Sequence, residues 1–320
     1  MEKTFLNFNI LISSIRNIRM LLLVILFLSF WICQQSDAEN AMSSFLNIDA
    51  DARGTAMGGA YGALTSGVNS TYWNPAGLSE ILFREFGATY YRAFQDINYS
   101  FIGYAVPSDF YGSLACQIFY LGSGSIISTY ENPDGSFIGA GDSFSVTDLA
   151  VGLTQSKAIT ENFSYGVTAK IITHRIKDKN AFDLAGDAGA IYQPPVYGLK
   201  LGLAIRNLST MYRFMNSKTR EPWNVKLSTA YELTNIPLTI ASDYNIIRGQ
   251  KDSLSVGAEY WIFDLLAIRA GVKFPSTTGF ISTFNCGIGL NLLDLYQFDH
   301  AINFNSALGI NQRFSLIVKF

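Results

Sequence analysis

The chain of 320 residues has a formal net charge of -2, and 15% of its residues are charged. Its mean hydropathy of +0.19 is high for a soluble protein, and 17 tyrosines and 24 phenylalanines add to its apolar character. The sequence has no basic cluster with interleaved aromatic residues, so we expect no nucleic-acid partner. Its 3 cysteines are too few for a disulfide framework.

Residues 1–38 have the pattern of a secretory signal peptide. Three basic residues precede the apolar run of residues 20–33: Lys3, Arg16 and Arg19. Small residues follow at the spacing of a cleavage site, which predicts cleavage after Ala38. One alternative is a permanent membrane helix, which would need roughly 20 apolar residues. The other is a lipoprotein modified at Cys33, for which residues 30–32 are too bulky.

Residues 39–82 are nearly uncharged and rich in glycine, with a Trp-Asn-Pro-Ala-Gly motif at 73–77. Glycine permits close packing and unusual backbone angles, and Asn-Pro favours a turn or a helix start. An irregular backbone cannot lie in lipid, because its polar groups would stay unsatisfied. We therefore predict a small N-terminal hatch inside the lumen of a barrel formed by residues 83–320. A disordered periplasmic tail is the alternative, and the apolar content of residues 56–64 argues against it.

From residue 83 onward, apolar residues recur at every second position, which is the period of a β-strand. Beyond the signal peptide, no apolar run is long enough to span a membrane as a helix. Turn signals divide the chain into about fourteen strands of roughly ten residues, the length of a tilted membrane-spanning strand. We predict an all-β fold, a transmembrane antiparallel β-barrel of about 14 strands. The strands are expected near residues 83–94, 97–106, 110–122, 142–157, 162–176, 180–193, 196–207, 223–232, 236–246, 251–261, 265–275, 278–290, 295–305 and 310–320.

The two longest predicted loops, 123–141 and 208–222, follow the third and seventh strands and therefore lie on one side. If the first strand starts in the periplasm, that side is the exterior, as in outer-membrane barrels. The last strand ends at Phe320, and this terminal aromatic residue resembles the C-terminal signal that the barrel-assembly machinery recognises. We therefore predict the outer membrane of a diderm bacterium as the location, with outer-membrane lipid around the barrel.

A soluble all-β protein, either a sandwich or a secreted barrel, is the alternative fold. Aromatic residues at strand ends, where membrane girdles lie, argue for the membrane: Tyr90, Tyr91, Phe119, Tyr120, Tyr260 and Trp261. The outward parity predicts that six residues face lipid: Phe284, Cys286, Ile288, Phe314, Leu316 and Val318. Because Cys116 and Cys286 both point to lipid from distant strands, we expect them not to pair.

Strand parity places the charged residues of the strands on the lumen side. An Arg or Lys that faced lipid at the midplane would cost about 2 to 4 kcal/mol. The predicted lumen charges are Lys170, Asp183, Asp187, Lys200, Arg206, Lys226, Asp243, Glu259, Arg269, Asp299 and Arg313. A turn near Asp264 brings Glu259 opposite Arg269. This lumen charge pair is either a latch that holds the hatch or a structural brace.

The sequence does not predict an enzyme. His174 and His300 are its only histidines, and neither lies beside a serine in a G-x-S-x-G motif. No metal-ligand spacing occurs. We therefore expect no catalytic residue, no cofactor and no metal.

Two segments resemble the FadL-like outer-membrane proteins, most closely the PorV/PorQ branch and its relatives of unassigned function. The first combines RGTAMGGAY at residues 53–61 with YWNPAGL at residues 72–78, and the second is the hairpin VGAEYWIFDLLAIRAG at residues 256–271. The branch usually has an acidic run where residues 65–70 read TSGVNS. Hatch contacts that depend on carboxylates in that run are therefore not expected here.

The resemblance implies a fourteen-stranded barrel plugged by its N-terminal hatch, through which apolar, fatty-acid-like compounds pass by hatch movement or a lateral opening. Together with the glycine segment, it singles out seven candidate ligand or hatch residues: Arg53, Gly58, Gly59, Trp73, Asn74, Pro75 and Ala76. We expect passive uptake of hydrophobic small molecules. The alternative is a PorV-like shuttle of type IX secretion with exported cargo proteins as partners, for which the modest loops leave little surface.

Overall fold

The structure is a computed structural model that describes residues 45–92, 97–214, 217–275, 283–305 and 309–320. Among these residues, no helix is both long and apolar enough to cross a membrane. The strands of the described residues are, in chain order, β1 Glu85–Arg92, β2 Asn98–Val106, β3 Ser113–Gly122, β4 Ile126–Glu131, β5 Phe137–Phe144, β6 Val146–Thr160, β7 Phe163–Ile176, β8 Lys179–Tyr192, β9 Leu199–Ser209, β10 Tyr212–Phe214, β11 Ser217–Thr219, β12 Asn224–Glu232, β13 Leu238–Ile247, β14 Ser253–Ile262, β15 Leu266–Pro275, β16 Thr283–Leu292, β17 Tyr296–Asn305 and β18 Gly309–Lys319.

Fourteen of these strands form a closed antiparallel barrel, in which β1 pairs with β18 to complete the ring. The predicted 14-stranded barrel is therefore confirmed, and each predicted strand is present with bounds that differ by a few residues. The first strand begins at Glu85, two residues later than expected. The ends predicted at 93–94 and 278–282 lie outside the described residues.

The two long loops predicted at 123–141 and 208–222 are not irregular throughout, which corrects the sequence analysis. Each contains a two-stranded sheet, β4 with β5 and β10 with β11. These strands pair only with each other, and β4 and β5 are mostly exposed, so they lack the buried face that gives a strand its alternating pattern. Both hairpins leave the same rim of the barrel, here called the long-loop rim, because β3 and β9 run in the same direction.

The barrel wall has an apolar outer face and a polar inner face. In β3, buried and exposed residues alternate along the strand, and the exposed ones include Leu114 and Ile118. A soluble sheet would bury such a face in its core, so this distribution is that of a wall whose outside meets lipid. The outward parity predicted for Phe284, Ile288 and Phe314 is confirmed by their exposure. As expected, Cys116 and Cys286 are free.

Residues 45–81, here called the N-terminal segment, pack against the inner face of the wall. They form short helical turns: Phe45–Asn47, Ala52–Ala56, Gly67–Asn69, Ser70–Trp73 and Pro75–Glu80. Asp51 caps the second turn by accepting a hydrogen bond from the Gly54 backbone N–H at 2.6 Å. Asn74 caps the last turn, where Pro75 supplies the first residue. Most residues of the segment are buried.

Candidate functional site

A charge network joins the N-terminal segment to the barrel wall. Arg53 donates hydrogen bonds to both carboxylate oxygens of Glu259, from Nε at 2.8 Å and from Nη2 at 2.7 Å. Arg269 donates to the same carboxylate from Nε and to Asp299 from Nη1 at 2.7 Å. Trp261 donates its indole N–H to Glu259 at 3.0 Å. Two guanidinium groups thus face two carboxylates, which balances the buried charge.

The register of the wall produces this network. Glu259 of β14 lies directly opposite Arg269 of β15, as predicted, because Phe263 and Asp264 form the turn with positive φ values of 53 and 54°. Gly289 of β16 lies opposite Asp299, and a side chain at Gly289 would lie 2.5 Å from both Arg269 Nη1 and Asp299 Oδ1. The absence of a side chain there makes room for the Arg269–Asp299 contact.

The sequence predicts Glu259 and Arg269 as a pair and Arg53 as a separate hatch residue, and it gives no signal that connects Arg53 with the pair. Arg53 reaches Glu259 across 206 positions of sequence, a distance over which strand parity carries no information. Asp299 was predicted only as one lumen charge among others. Asp299 lies opposite Gly289, and the Arg269 guanidinium lies beside this glycine. Knowledge of the strand registers is therefore needed to predict the Arg269–Asp299 contact.

Trp73 is the centre of an aromatic cluster in the N-terminal segment. Its side chain is 1% exposed, and its indole N–H donates to Asp51 at 3.2 Å. Tyr72 and Tyr61 meet its ring edge to face, with centroids 4.9 and 5.8 Å away. The ammonium of Lys226, on the inner wall, lies 4.8 Å from the ring centroid. The predicted contact of Trp73 with the inner wall is therefore a cation–π contact.

Asp243 forms a second polar connection between wall and segment. Its Oδ2 accepts hydrogen bonds from the backbone N–H groups of Tyr61 and Gly62 at 3.0 and 2.9 Å. The same oxygen accepts from Lys226 Nζ at 2.9 Å. Both wall side chains are buried, at 0% and 3% exposure, so the glycine-rich backbone is bonded directly to an ion pair of the wall.

Gly58 brings the segment backbone against the wall backbone. Its φ is +69°, and a Cβ there would lie 2.7 Å from the amide nitrogen of Val272. Gly271 faces the same contact from the wall, against Met57 and Gly58. Gly59 also has a positive φ, +85°. The predicted need for glycine at 58 and 59 thus has two causes, a left-handed backbone and a backbone-to-backbone approach.

Asn74, Pro75 and Ala76 lie against β6 to β8. The Asn74 amide donates to the backbone carbonyls of Gly62 and Ala190, each at 3.1 Å. Ser156 Oγ donates to the Ala76 carbonyl at 3.0 Å. The wall residues that face this turn include two glycines, Gly166 and Gly189, where a Cβ would overlap Pro75 and Asn74. All seven predicted hatch residues therefore lie at the inner wall, while their role in a hatch stays a prediction.

The aromatic side of the interior is formed by Tyr99, Phe101 and Phe119 of β2 and β3, together with Tyr72 of the segment. The three wall residues are at most 2% exposed. Phe119 lies 5.0 Å from Phe101 and 5.9 Å from Tyr72 between ring centroids. The charged contacts described above come from β12 to β17 instead. The interior is therefore aromatic at β2 and β3, whereas most of its buried charges lie on β7 to β9 and β12 to β18.

Asp51 is the buried acid of the N-terminal segment. Burial raises its pKa from 3.8 to about 6, and the nearby charge of Asp299 adds to the effect. Hydrogen bonds from the Gly54 backbone N–H and the Trp73 indole act in the opposite direction. The carboxyl group of Asp51 therefore changes its charge at a mildly acidic pH.

Ten of the eleven predicted lumen charges are buried in the structure. The exception is Lys200, which is half-buried and forms an ion pair of 2.8 Å with Glu80 at the opposite rim from the long loops. Lys200 is the second residue of β9 and therefore lies at the edge of the barrel, which explains its partial exposure. The inward parity of the other charges agrees with the prediction.

The two histidines have different surroundings. His174 Nδ1 lies 2.9 Å from Asp148 and its Nε2 lies 3.3 Å from Glu221, and its ring stacks on Tyr212. His300 stacks on Phe314 of the outer face, with centroids 4.5 Å apart. Among the described residues, no group of three or more His, Cys, Asp or Glu side chains could hold a metal ion.

Comparison with known proteins gives structural matches only. No family model matches the sequence, and no curated protein matches it significantly. The monoaromatic hydrocarbon channel CymD matches with a TM-score of 0.66 and 11% identity, covering 87% of this chain and 99% of its own. The Ralstonia pickettii toluene transporter TbuX has a TM-score of 0.64 and 13% identity, covering 86% and 99%.

A third match is a Pseudomonas aeruginosa FadL homologue, with a TM-score of 0.55 and 13% identity over 87% of this chain and 99% of its own. Identities this low show a shared fold and do not by themselves transfer a function. The chain is therefore a 14-stranded outer-membrane-type barrel whose fold is similar to that of FadL-like transporters.

Proposed function

We propose that this protein is an outer-membrane channel for the passive uptake of hydrophobic small molecules, with residues 45–81 acting as its hatch. The observation that carries the proposal is the two-sided interior. On one side, charged side chains and backbone contacts hold the N-terminal segment to the wall. On the other side, Tyr99, Phe101 and Phe119 form a buried apolar surface that Tyr72 of the segment covers.

The outer face supports a membrane location. Its exposed side chains are largely aliphatic and aromatic, whereas ten of the eleven charges predicted for the lumen are buried inside. Transfer of such an apolar face into lipid is favourable, and exposing it to water is not. The longer loops leave one rim, and short turns such as that at Phe263 and Asp264 leave the other, as in barrels of the bacterial outer membrane.

The aromatic side supports a hydrophobic ligand. Tyr99, Phe101 and Phe119 form a buried aromatic surface that runs along β2 and β3, and Tyr72 of the segment covers it. An apolar molecule that displaced Tyr72 would replace one aromatic contact by another, so the exchange would cost little. Proteins of similar fold include toluene transporters and a monoaromatic hydrocarbon channel. We propose hydrophobic compounds of this size range, or fatty-acid-like molecules, as ligands.

Movement of the segment is the step that would open the channel. Some of its residues pack in apolar clusters with the wall, such as Ala56 with Ala301. Its other contacts with the wall are hydrogen bonds, ion pairs and cation–π contacts, which exchange partners more readily than apolar packing does. Arg206, with its guanidinium 3.9 Å from the Tyr72 ring centroid, joins the two sides. We propose that displacement of Tyr72 by a ligand loosens this contact and shifts the segment.

A reversible crosslink tests the proposed movement. Ala56 of the segment and Ala301 of β17 are both buried in one apolar cluster, so Ala56→Cys with Ala301→Cys introduces a disulfide at an existing contact. Cys33, Cys116 and Cys286 are first replaced by serine. Purified protein in liposomes is assayed for uptake of a hydrophobic fluorescent dye. We expect the oxidised protein to take up dye several-fold more slowly and the reduced protein to recover.

The matched control joins two wall residues. Thr229 of β12 lies opposite Ser242 of β13, and both are half-buried on the outward parity of the wall. Thr229→Cys with Ser242→Cys therefore crosslinks the wall without holding the segment. Oxidation of this control should leave uptake unchanged. Equal uptake by oxidised and reduced segment crosslinks would remove the hatch from the proposal. Wild-type uptake no faster than that of empty liposomes would remove transport itself.

The secretion-adaptor alternative stays a prediction, because no contact among the described residues favours it. The barrel-assembly role of Phe320 also stays a prediction. In the structure, this residue is 59% exposed and stacks on Tyr104 with centroids 6.1 Å apart. Its backbone N–H donates to the Arg84 carbonyl at 3.0 Å, which extends the pairing of the last strand with the first.

A further inference from the structure

The outer wall near the β7–β8 turn changes from apolar to basic within two rows of side chains. Three residues that lie opposite one another across β6, β7 and β8 are aliphatic and at least 41% exposed: Val151, Ile171 and Leu184. Two positions further along β7, towards the long-loop rim, the three opposed residues are Leu149, Thr173 and Phe182. After two more positions they are Thr147, Arg175 and Asn180. The apolar belt therefore ends here, at the depth where lipid headgroups begin.

A groove of about 420 Å³ lies at this boundary. We call it the β7–β8 groove, and its outward-facing lining residues are Thr147, Leu149, Thr173, Arg175, Asn180 and Phe182. Its shape follows from the middle row, in which the small side chain of Thr173 lies between Leu149 and Phe182. The lower part of the groove is therefore apolar, and its upper part is polar.

Positive charge is concentrated above the groove. Arg175, Lys177 and Lys179 lie within five positions and are exposed, whereas Asp178 is the one acid of the turn and lies 3.6 Å from Lys179. The Arg175 guanidinium donates from Nε to the Lys177 carbonyl at 3.3 Å, which holds it over the turn. In a chain with 15% charged residues, this turn offers a cationic site directly above an apolar slot.

We propose that the β7–β8 groove binds a phosphorylated lipid of the outer leaflet. One acyl chain would lie over Thr173 between Leu149 and Phe182, and the phosphate would bind at Arg175 and Lys177. The β7–β8 turn is on the long-loop rim, since β7 runs in the same direction as β3. The inference rests on the membrane location proposed above and does not depend on the transported compound.

Charge complementarity selects this occupant. A phosphate accepts hydrogen bonds from a guanidinium group with two well-aligned donors, and an adjacent ammonium group adds a point charge. A second protein copy would bring the same positive charge and would be repelled. A neutral lipid would fill the apolar slot but leave the cationic upper part without a partner.

Binding of a short-chain phosphatidic acid to the purified full-length protein tests the proposal. Affinity is measured by titration calorimetry in a nonionic detergent. The double variant Arg175→Ala with Lys177→Ala should bind about thirtyfold more weakly, from two lost charges near a lipid surface. The single variant Thr173→Phe should also weaken binding, because it fills the slot without changing charge. Heat-modifiable gel migration verifies that each variant is folded.

Two controls decide between the sources of phosphate and between specific and general attraction. The variant Arg248→Ala with Lys251→Ala removes two exposed charges from another turn of the same rim and should leave affinity within about twofold. Equal weakening by this control would overturn the proposal. Unchanged affinity of phosphatidic acid for the variant Arg175→Ala with Lys177→Ala would also overturn the proposal. Inorganic phosphate that binds as tightly as the lipid, with no effect of Thr173→Phe, would mean a free-anion site and not a lipid site.

Discussion

Arg53 and Glu259 form the bidentate ion pair that connects the N-terminal segment with the barrel, with nitrogen–oxygen distances of 2.8 and 2.7 Å. Glu259 is 2% exposed and also accepts a hydrogen bond from Arg269 of the neighbouring strand. One carboxylate therefore holds a guanidinium group of the segment and one of the wall. The two interpretations of the Glu259–Arg269 pair, a latch that holds the hatch and a structural brace, both stay predictions.

The Arg53–Glu259 contact can be removed without breaking the ion pair between Glu259 and Arg269. Arg53→Met keeps much of the side-chain volume and leaves Glu259 bonded to Arg269, so we expect a folded barrel with a loosened segment. Uptake of a hydrophobic dye into liposomes should rise several-fold. Arg248→Met, at an exposed turn position, is the matched control and should not change uptake. A folded Arg53→Met protein with wild-type uptake would show that the ion pair is structural only.

Removal of the shared carboxylate should be more severe. Glu259→Ala leaves the buried Arg269 and the partly buried Arg53 without this partner, so we expect the free energy of unfolding to fall by about 3 to 5 kcal/mol. Addition of Arg269→Ala removes one of these unpaired charges and should recover part of the loss. The recovery is limited, since Asp299 then loses its own partner. Urea titration followed by gel migration measures the free energy of unfolding of each variant. A double variant less stable than Glu259→Ala alone would contradict the expected recovery.

The close approach at Gly58 predicts a steric effect that can be separated from backbone strain. Gly58→Ala introduces a Cβ against the Val272 backbone at a φ of +69°, and we expect about 2 to 3 kcal/mol of destabilisation. Gly135→Ala is the matched control, because Gly135 has a φ of +81° with nothing within 4 Å. The control should show the cost of strain alone, about 1 kcal/mol. Urea titration followed by gel migration measures both costs as changes in the free energy of unfolding, and equal effects of both variants would rule out the contact.

The raised pKa of Asp51 predicts that the N-terminal segment is held more firmly at acidic pH. The pKa in the folded state, about 6, lies above the ordinary value of 3.8, so the folded segment binds the proton more tightly. The resulting stabilisation is fully present below pH 3.8 and is lost as the pH rises through 6. Its total is on the order of 3 kcal/mol.

Hydrogen exchange of residues 45–81 between pH 4 and pH 8, corrected for intrinsic exchange rates, measures this dependence. Asp51→Asn keeps an acceptor for the Gly54 N–H and removes the ionisation. We expect protection to fall with rising pH in the wild type and to vary much less in the variant. Parallel profiles for the two proteins would assign the dependence to another group.

The sequence by itself determined the barrel. Alternation of apolar and polar residues is a local property with a period of two, so each strand of ten or so residues shows its outward face without knowledge of its neighbours. The same parity predicted that charges such as Lys226 and Asp243 point inward and that Cys116 and Cys286 face outward. The turn near Asp264 was also local, since two residues with positive φ close it.

Only the tertiary structure decided which inward residues meet. The contact of Arg53 with Glu259 joins residues 206 positions apart. The contact of Gly58 with Val272 joins β15 to a segment that has no regular periodicity. The β4–β5 hairpin lay in a predicted loop, because exposed strands that pair only with each other leave no alternating pattern. A local pattern gives the direction of a side chain, but its partner depends on how the closed ring and the segment inside it bring distant residues together.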